Sequence, residues 1–289
     1  MYALCNEFIS LQNKMFAKLV FEGKIRAAIK FISDDANAGV LELTEETMKG
    51  LEEKHPAPSP VEYDALLYGP VEMIPDCAFD AIDEQSILKA AQQTQGSSGP
   101  SLLDADQYRH ILVSKKYKQE GKELREQMAI LARKLATSII DPTVLEAYVA
   151  CRLIPLDKNP GIRPIGVGEV MRRIIGKAIG AELKDYIQEA AGPLQMSTGL
   201  KGGSEAAIHA MRNIFDSDGC DGVILVDASN AFNRLNRQVA LHNIQITAPK
   251  FSTILINTYR LPSRLFVTGG AELSSREGTT QGDPLAMSF

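Results

Sequence analysis

The sequence contains no tryptophan, and aromatic residues make up only 6% of its 289 positions. Its four cysteines stand singly at positions 5, 77, 151 and 220, without a CxxC pair or a nearby histidine cluster. This pattern argues against a structural zinc site and a disulfide framework, and it is typical of reduced thiols in an intracellular protein. It does not distinguish cytoplasm from nucleus.

Long apolar runs are also missing from the chain. No stretch approaches the roughly 20 apolar residues that a transmembrane helix needs. The N-terminal residues MYALCNEFISLQNKMF lack the basic segment, apolar core and small-residue cleavage site of a signal peptide. We therefore expect no membrane partner. A hydrophobic content of 45% with 23% charged residues fits a globular protein with a sizeable core.

The net charge of −5 is unevenly distributed along the chain. Residues 1–108 hold 8 basic against 18 acidic side chains, a balance of −10. Residues 109–184 hold 15 against 8, a balance of +7, and residues 185–289 hold 8 against 10. A basic middle indicates a surface for a polyanion. The alternating acids and bases of SKKYKQEGKELREQ suit an ordinary solvated helical face as well.

Apolar spacing predicts a mainly helical chain with a few short strands. Helices are predicted over LTEETMKGLEEK with Thr44 as N-cap, and over residues 104–113 and 117–137. EVMRRIIGKAIGAELKDYIQEA is amphipathic, with Arg172 expected to point largely outward. Ser204 is expected to cap a helix whose apolar stripe belongs to the core, namely Ala207, Ile208, Met211, Ile214 and Phe215.

Strands and boundaries are predicted from shorter signals. VILVD indicates a short apolar strand, and RLFVTGGAELSS indicates a hairpin that turns at Gly269–Gly270. The polar, glycine-rich link QGSSGPS at 95–101 separates the acidic region from the basic one. This link is the predicted boundary of an acidic helical region at 1–94.

A carboxylate follows the predicted strand at 223–226. In the stretch VILVDASNAF, Asp227 comes directly after the strand, and Phe232 lies five positions further on. A carboxylate at a sheet edge can hold a hard cation such as Mg²⁺. An aspartate in this position also suits the capping of the next turn, so this spacing alone leaves both interpretations open.

Four segments, in order, resemble the reverse transcriptases. GIRPIGVGEVMRRIIGKAI is similar to their fingers motif, and LQMSTGLKGGSEAAIHAM to the glycine-containing segment that follows it. VILVDASNAFNRLNR resembles polymerase motif A, and EGTTQGDPLAM resembles motif B. The resemblance covers roughly residues 150–289 and is strongest to the enzymes of non-LTR retrotransposons and group II intron-like elements. It implies an α+β fold, with the fingers (95–215) and partial palm (216–289) of a right-hand polymerase behind the helical N-terminal region.

The resemblance also implies a role for the motif A residues. Asp227 would ligate two Mg²⁺ ions for phosphoryl transfer, with the backbone carbonyl of Ala228 assisting one of them. Phe232 would be the steric gate that leaves no room for a 2′-hydroxyl and so favours deoxynucleotides. A core aromatic is the alternative interpretation of Phe232.

The remaining family positions concern the incoming nucleotide. Arg163, and more weakly Lys158, would contact its triphosphate, because such oxygens need positive charge or donors. Gln281 and Gly282 would line the nucleotide pocket, where glycine permits a close backbone approach. A surface ion pair is the alternative for Arg163. The implied partners are an RNA template, a DNA or RNA primer and dNTPs.

One departure from the family limits the expected activity. The Tyr-x-Asp-Asp hairpin that supplies the second acidic motif is absent from the 289 residues. One carboxylate position cannot hold two Mg²⁺ ions about 4 Å apart. We therefore expect this chain to be an incomplete nucleotidyltransferase, truncated before that motif and without polymerase activity of its own.

Other classes of protein share parts of this pattern. A non-catalytic RNA-binding protein derived from a mobile element would use the basic stretch 109–184 to contact phosphates. An RNA-dependent RNA polymerase is a second alternative, although Phe232 argues against it because a ribonucleotide enzyme needs space at the 2′ position. A decayed remnant without function is the third.

Overall fold

The computed structural model describes residues 14, 16–21, 23, 39–158, 160–196, 202–217 and 219–286. Between residue 39 and the first strand, the structure describes the helices α1 Glu45–Lys54, α2 Glu84–Gln93, α3 Ala105–Leu112, α4 Lys118–Thr137 and α5 Pro142–Val149. Side chains cap the first turns of α1, α2, α3 and α5, which satisfies backbone N–H groups that have no partner within the helix. Thr44 accepts from the Thr47 N–H at 3.2 Å, and Asp104 forms a capping box with Gln107.

Six helices follow in the second half of the described chain. They are α6 Val170–Glu182, α7 Lys184–Ala191, α8 Gly203–Phe215, α9 Ala231–Arg234, α10 Arg237–Thr247 and α11 Pro249–Tyr259. Pro249 lies in the first turn of α11, where a missing N–H costs nothing. Short 3₁₀ turns at Tyr63–Ala65, Asp76–Phe79 and Lys115–Tyr117 connect earlier elements.

Four strands form one mixed sheet in the described part of the chain: β1 Cys151–Asp157, β2 Ile162–Gly168, β3 Ser263–Val267 and β4 Glu272–Ser275. Their order is β2-β1-β3-β4. β1 pairs antiparallel with β2 and parallel with β3, and β3 pairs antiparallel with β4 across the predicted Gly269–Gly270 turn. Helices combined with this sheet confirm the coarse prediction of a mixed α and β protein.

The main hydrophobic core joins helices from both sides of the predicted boundary at 95–101. Buried side chains of α2, α4, α6 and α11 belong to one cluster, in which Ile87, Leu135, Ile174 and Ile254 are all fully buried. Strands β1 and β3 contribute to a smaller cluster beneath α1, formed by Leu51, Cys151, Leu153, Leu265 and Val267. The division of the chain into three units stays a prediction.

Among the helices described, none combines the length and apolar character that crossing a bilayer would require. Two local predictions are wrong. The helix α8 begins at Gly203 with Gly202 as N-cap, so Ser204 lies inside the helix and does not cap it. Its apolar stripe is also not core, because Ile208 is 67% and Ile214 62% exposed. Helical spacing fixes which side chains share a face, but it does not supply the element that covers that face.

The predicted strand VILVD is not a strand in the structure, because residues 221–228 have no regular secondary structure. Ile224, Leu225 and Val226 are between 82% and 90% exposed. Strand propensity measures how well side chains fit a half-buried pleated surface, and a strand also needs a neighbour for its backbone groups. Within the described residues, the sheet order leaves 223–226 without such a neighbour.

Candidate functional site

One cavity of about 370 Å³ lies where the β1–β2 turn, the segment after residue 226 and the loop after β4 meet. We call it the Asp227 cavity. Six residues predicted from the sequence line it: Lys158, Arg163, Asp227, Ala228, Phe232 and Gln281. The other lining residues are Lys54, Ile162, Pro164, Ser229, Asn230 and Ala231. Four separate stretches of the chain therefore contribute to one concave site.

The β1–β2 hairpin brings two cations to this cavity. Pro155 of β1 lies opposite Pro164 of β2, and the Lys158 N–H donates to the Gly161 carbonyl at 3.0 Å to close the turn. Lys158 and Arg163 are exposed at this end of the hairpin. Neither side chain forms an ion pair with any described residue, so both charges are available to a ligand.

The segment that carries Asp227 is anchored just after the aspartate. Asn230 has φ of +56°, a left-handed conformation that asparagine tolerates better than most residues. Its side-chain amide donates to the Lys54 carbonyl at 2.9 Å, and its carbonyl accepts from the Asn233 N–H at 3.0 Å. The start of α9 is thereby tied to the end of α1, which fixes Phe232 beside the aspartate.

The loop after β4 brings Gln281 to the opposite side. The Gln281 carbonyl accepts from the Gly166 N–H of β2 at 3.1 Å. Gly282 has φ of +109°, and a Cβ there would lie 3.0 Å from the Gly166 carbonyl oxygen. Gly278 has φ of +62°, and a Cβ there would lie 2.1 Å from the Phe232 carbonyl oxygen. These two glycines let the loop backbone fit between β2 and α9.

A buried polar network holds this loop from behind. The guanidinium of Arg172 forms an ion pair with Asp283, and each side chain is only 3% exposed. Arg172 also donates to the Val149 carbonyl at 2.9 Å. The Tyr259 hydroxyl donates to the same carboxylate at 2.5 Å. The prediction that Arg172 points outward is wrong, because its partner Asp283 lies in a loop 111 positions later.

Burial and this pairing shift the titration of the network. Burial acts to lower the pKa of Arg172, but the Asp283 carboxylate, together with the nearby Cys151, Tyr259 and Tyr148 groups, outweighs it and raises the pKa above its ordinary value. Burial, together with the Asp283 charge, raises the pKa of Tyr259 well above the usual value for tyrosine. Arg172 therefore stays charged and Tyr259 stays protonated at neutral pH, which keeps both as donors to Asp283.

A second buried cation supports the start of the same loop. Arg237 donates through its side chain to the carbonyls of Gly278 at 2.8 Å and Ser275 at 3.1 Å. Burial lowers the pKa of Arg237 to about 10, which still leaves it charged at neutral pH. The Glu277 carboxylate accepts from the Arg237 and Ser59 backbone N–H groups, each at 2.6 Å. Both ends of the loop are thus fixed by charged groups.

Six of the twelve residues that line the cavity were thus predicted from the sequence. Gly282 is not one of the lining residues, because it packs against Gly166 while its neighbour Gln281 faces the cavity. Lys54 and Asn230 were missed. The asparagine stands three residues after Asp227, where its tolerance of positive φ is a usable signal, whereas nothing local connects Lys54 with the aspartate.

The cavity has too few acidic ligands for the two Mg²⁺ ions that the family resemblance implies. Asp227 is the one acidic side chain among the residues that line the cavity. Among the described residues, no group of three or more His, Cys, Asp or Glu side chains is arranged to hold a metal ion. Two-metal sites need several oxygen ligands, and one carboxylate with one backbone carbonyl falls short of them.

No protein-family model matches the sequence, and no curated protein matches it either. The interpretation of the Asp227 cavity therefore depends on the chemistry of the residues that line it.

Proposed function

We propose that the chain is part of a reverse-transcriptase domain, whose function is template-directed DNA synthesis from RNA. The observation that carries the proposal is the Asp227 cavity itself. Positions of three motifs, which extend from residue 163 to residue 281 of the sequence, line one concave site of about 370 Å³. That volume is within the range of roughly 300–1,000 Å³ that small-molecule sites occupy.

The charges of the cavity favour an anionic ligand. Lys54, Lys158 and Arg163 supply three positive charges against the single negative charge of Asp227. Arginine and lysine are the usual partners of phosphate oxygens, and charge-assisted hydrogen bonds are about twice as strong as neutral ones. A nucleoside triphosphate fits this arrangement, with its phosphates at the β1–β2 turn.

Selection of the sugar is assigned to Phe232. It lines the cavity next to the motif A segment, and its carbonyl accepts from the Thr279 N–H at 2.5 Å, which couples it to the motif B loop. A rigid ring at that position excludes a ligand group by its volume, because packed sites do not expand at low cost. Deoxynucleotides then bind in preference to ribonucleotides.

The same proposal assigns residues 95–215 to the fingers and 216–289 to part of the palm of a right-hand polymerase. RNA template, primer and dNTP are the proposed partners. Phosphoryl transfer in the family would use Mg²⁺ for charge neutralisation, with Asp227 and the Ala228 carbonyl as the ligands that this cavity offers. Because the acidic ligands for two ions are incomplete among the described residues, we expect the chain to bind nucleotides without adding them to a primer.

Calorimetric titration with dGTP and GTP tests the proposal, since these ligands differ only in the 2′-hydroxyl. We expect dGTP to bind roughly tenfold more tightly, the effect of one crowded group in a packed site. Phe232→Ala should remove most of that difference. Phe215→Ala is the matched control, because Phe215 is half-exposed on α8 and does not line the cavity.

Equal affinities for the two nucleotides in the unsubstituted protein would contradict the proposal. Binding of RNA that survives Asp227→Ala, without affinity for either nucleotide, would favour the RNA-binding alternative. A primer-extension assay with Mg²⁺ or Mn²⁺ completes the test, and robust dNTP incorporation would show that one acidic side chain suffices.

A further inference from the structure

Lys54 is the cavity residue with no counterpart in the motifs discussed above. It ends α1 in the acidic N-terminal region, 173 positions before Asp227, yet it lines the same cavity as Lys158 and Arg163. Its side chain forms no ion pair with any residue in the described ranges. The charge of Lys54 is thus not neutralised by the acidic residues around it in sequence.

The position of Lys54 is fixed by contacts on both sides of the residue. Leu51, one turn earlier in α1, is fully buried against Cys151, Leu153, Leu265 and Val267. The Lys54 carbonyl accepts from the Asn230 amide at 2.9 Å. The backbone is therefore held by the sheet core and by the motif A segment together, and the ammonium group is left to meet a ligand.

A purely structural role for Lys54, as a charge at the C-terminal end of α1, is also physically reasonable. A lysine in the last turn of a helix compensates the partial negative charge of the exposed carbonyl groups there. That role requires only that the side chain lie near the helix end. It does not require a concave site shared with two further unpaired cations from another element.

We propose that Lys54 binds the polyphosphate of the ligand in the Asp227 cavity, as the third member of a set with Lys158 and Arg163. This inference rests on the proposed function, because it assigns a further binding residue to the same site. Three cations against one carboxylate leave the cavity with an excess of two positive charges, and a triphosphate chain supplies several negative charges in one small ligand. The helix α1 is then part of the nucleotide site.

Inorganic tripolyphosphate is the probe, because it carries the phosphate chain without base or sugar. Its affinity is measured by calorimetry for the whole chain and for Lys54→Gln, Lys54→Arg and Lys49→Gln. Lys49 lies on the same helix, is exposed and does not line the cavity, so its substitution is the matched control. We expect Lys54→Gln to weaken binding about tenfold, the loss of one charge-assisted contact. Lys54→Arg should retain most of the affinity, and Lys49→Gln should change it less than twofold.

Equal affinities of Lys54→Gln and Lys49→Gln would overturn the inference and leave the deoxynucleotide preference at Phe232 untouched. Failure of the unsubstituted chain to bind tripolyphosphate would overturn it as well. A short RNA oligonucleotide is titrated in parallel, and a Lys54 effect on RNA without one on tripolyphosphate would assign the residue to a nucleic-acid backbone instead. A Lys54 effect on tripolyphosphate without dGTP preference would keep the inference and reject the proposed function.

Discussion

Two segments that meet at the Asp227 cavity are held in opposite ways. The loop at 277–283 is fixed by buried charges, since Arg172, Tyr259 and Asp283 bond to one another out of contact with solvent. The segment at 223–228 carries a run of apolar side chains into solvent, with Ile224 90% and Val226 89% exposed. The loop is polar and buried, and the segment is apolar and exposed.

This contrast shows that hydrophobicity alone does not determine burial at a functional site. A buried ion pair remains costly in desolvation, but it fixes the geometry of the loop that bears Gln281. The exposed segment is tied to α1 just after its end, by the bond of Asn230 to the Lys54 carbonyl. We therefore expect substitutions in the loop to affect stability strongly and those in the segment to affect it weakly.

The largest effect is expected for Asp283→Ala. Removing this carboxylate leaves the Arg172 charge buried without its partner, which typically costs about 3–5 kcal/mol. Urea unfolding followed by circular dichroism measures the change. The double variant Arg172→Met with Asp283→Leu should be more stable than Asp283→Ala, because neither charge then remains buried. A double variant less stable than the single one would show that the pair itself stabilises the fold.

A matched pair of leucines compares the two environments directly. Leu153 is 1% exposed in the cluster beneath α1, whereas Leu225 is 82% exposed. Leu153→Ala should lower the free energy of unfolding by roughly 2–5 kcal/mol, through lost burial and the cavity left behind. Leu225→Ala should change it by less than about 0.5 kcal/mol. Similar losses for both, measured by urea unfolding, would mean that residues 223–226 are buried in solution.

The smallest change in the free energy of unfolding is expected from the titration of His55, just after the end of α1. Burial lowers the pKa of His55 below 6.5, although its hydrogen bond to the Leu51 carbonyl at 2.8 Å acts in the other direction. Below pH 6.5 the unfolded chain therefore binds this proton more readily than the folded chain. The contribution to stability is present above pH 6.5 and is lost as the pH falls through the lowered folded-state pKa.

Free energies of unfolding measured from pH 5 to pH 8 test whether stability is lost as the pH falls. His55→Gln should make the curve flatter on the acidic side than that of the unsubstituted protein. His209→Gln, which changes an exposed side chain on α8, controls for the removal of a histidine as such. Parallel curves for His55→Gln and the unsubstituted protein would show that His55 does not cause the loss of stability at acidic pH.

The apolar spacing and turn residues of the sequence predicted the long helix α4 and the β3–β4 hairpin well. The helix expected over 117–137 is α4 at Lys118–Thr137, because its apolar spacing extends over five turns. The hairpin at Gly269–Gly270 is confirmed, since both glycines adopt the positive φ values, 110° and 98°, that other residues rarely take in a tight turn. Half of the residues that line the cavity were named from the family resemblance.

The errors concern residues whose state depends on distant partners. Arg172 looks like a surface residue by helical spacing, and only Asp283, 111 positions later, gives it a reason to be buried. Residues 223–226 have the composition of a strand, but pairing depends on a neighbour that their own sequence does not specify. Lys54 reaches the cavity through the docking of α1 on the sheet, which no local signal encodes.

The hydrogen bonds around the cavity have a consequence for the order of folding. Asn230 bonds to Lys54 across 176 positions, and Glu277 bonds to Ser59 across 218. Such distant contacts close late, because the entropy of the intervening loops is lost before they form. During synthesis, the site cannot exist until Gln281 has left the ribosome. Until that moment the face of α1 that lines the cavity lacks its partners, and apolar surface exposed in this way makes a nascent chain prone to aggregation.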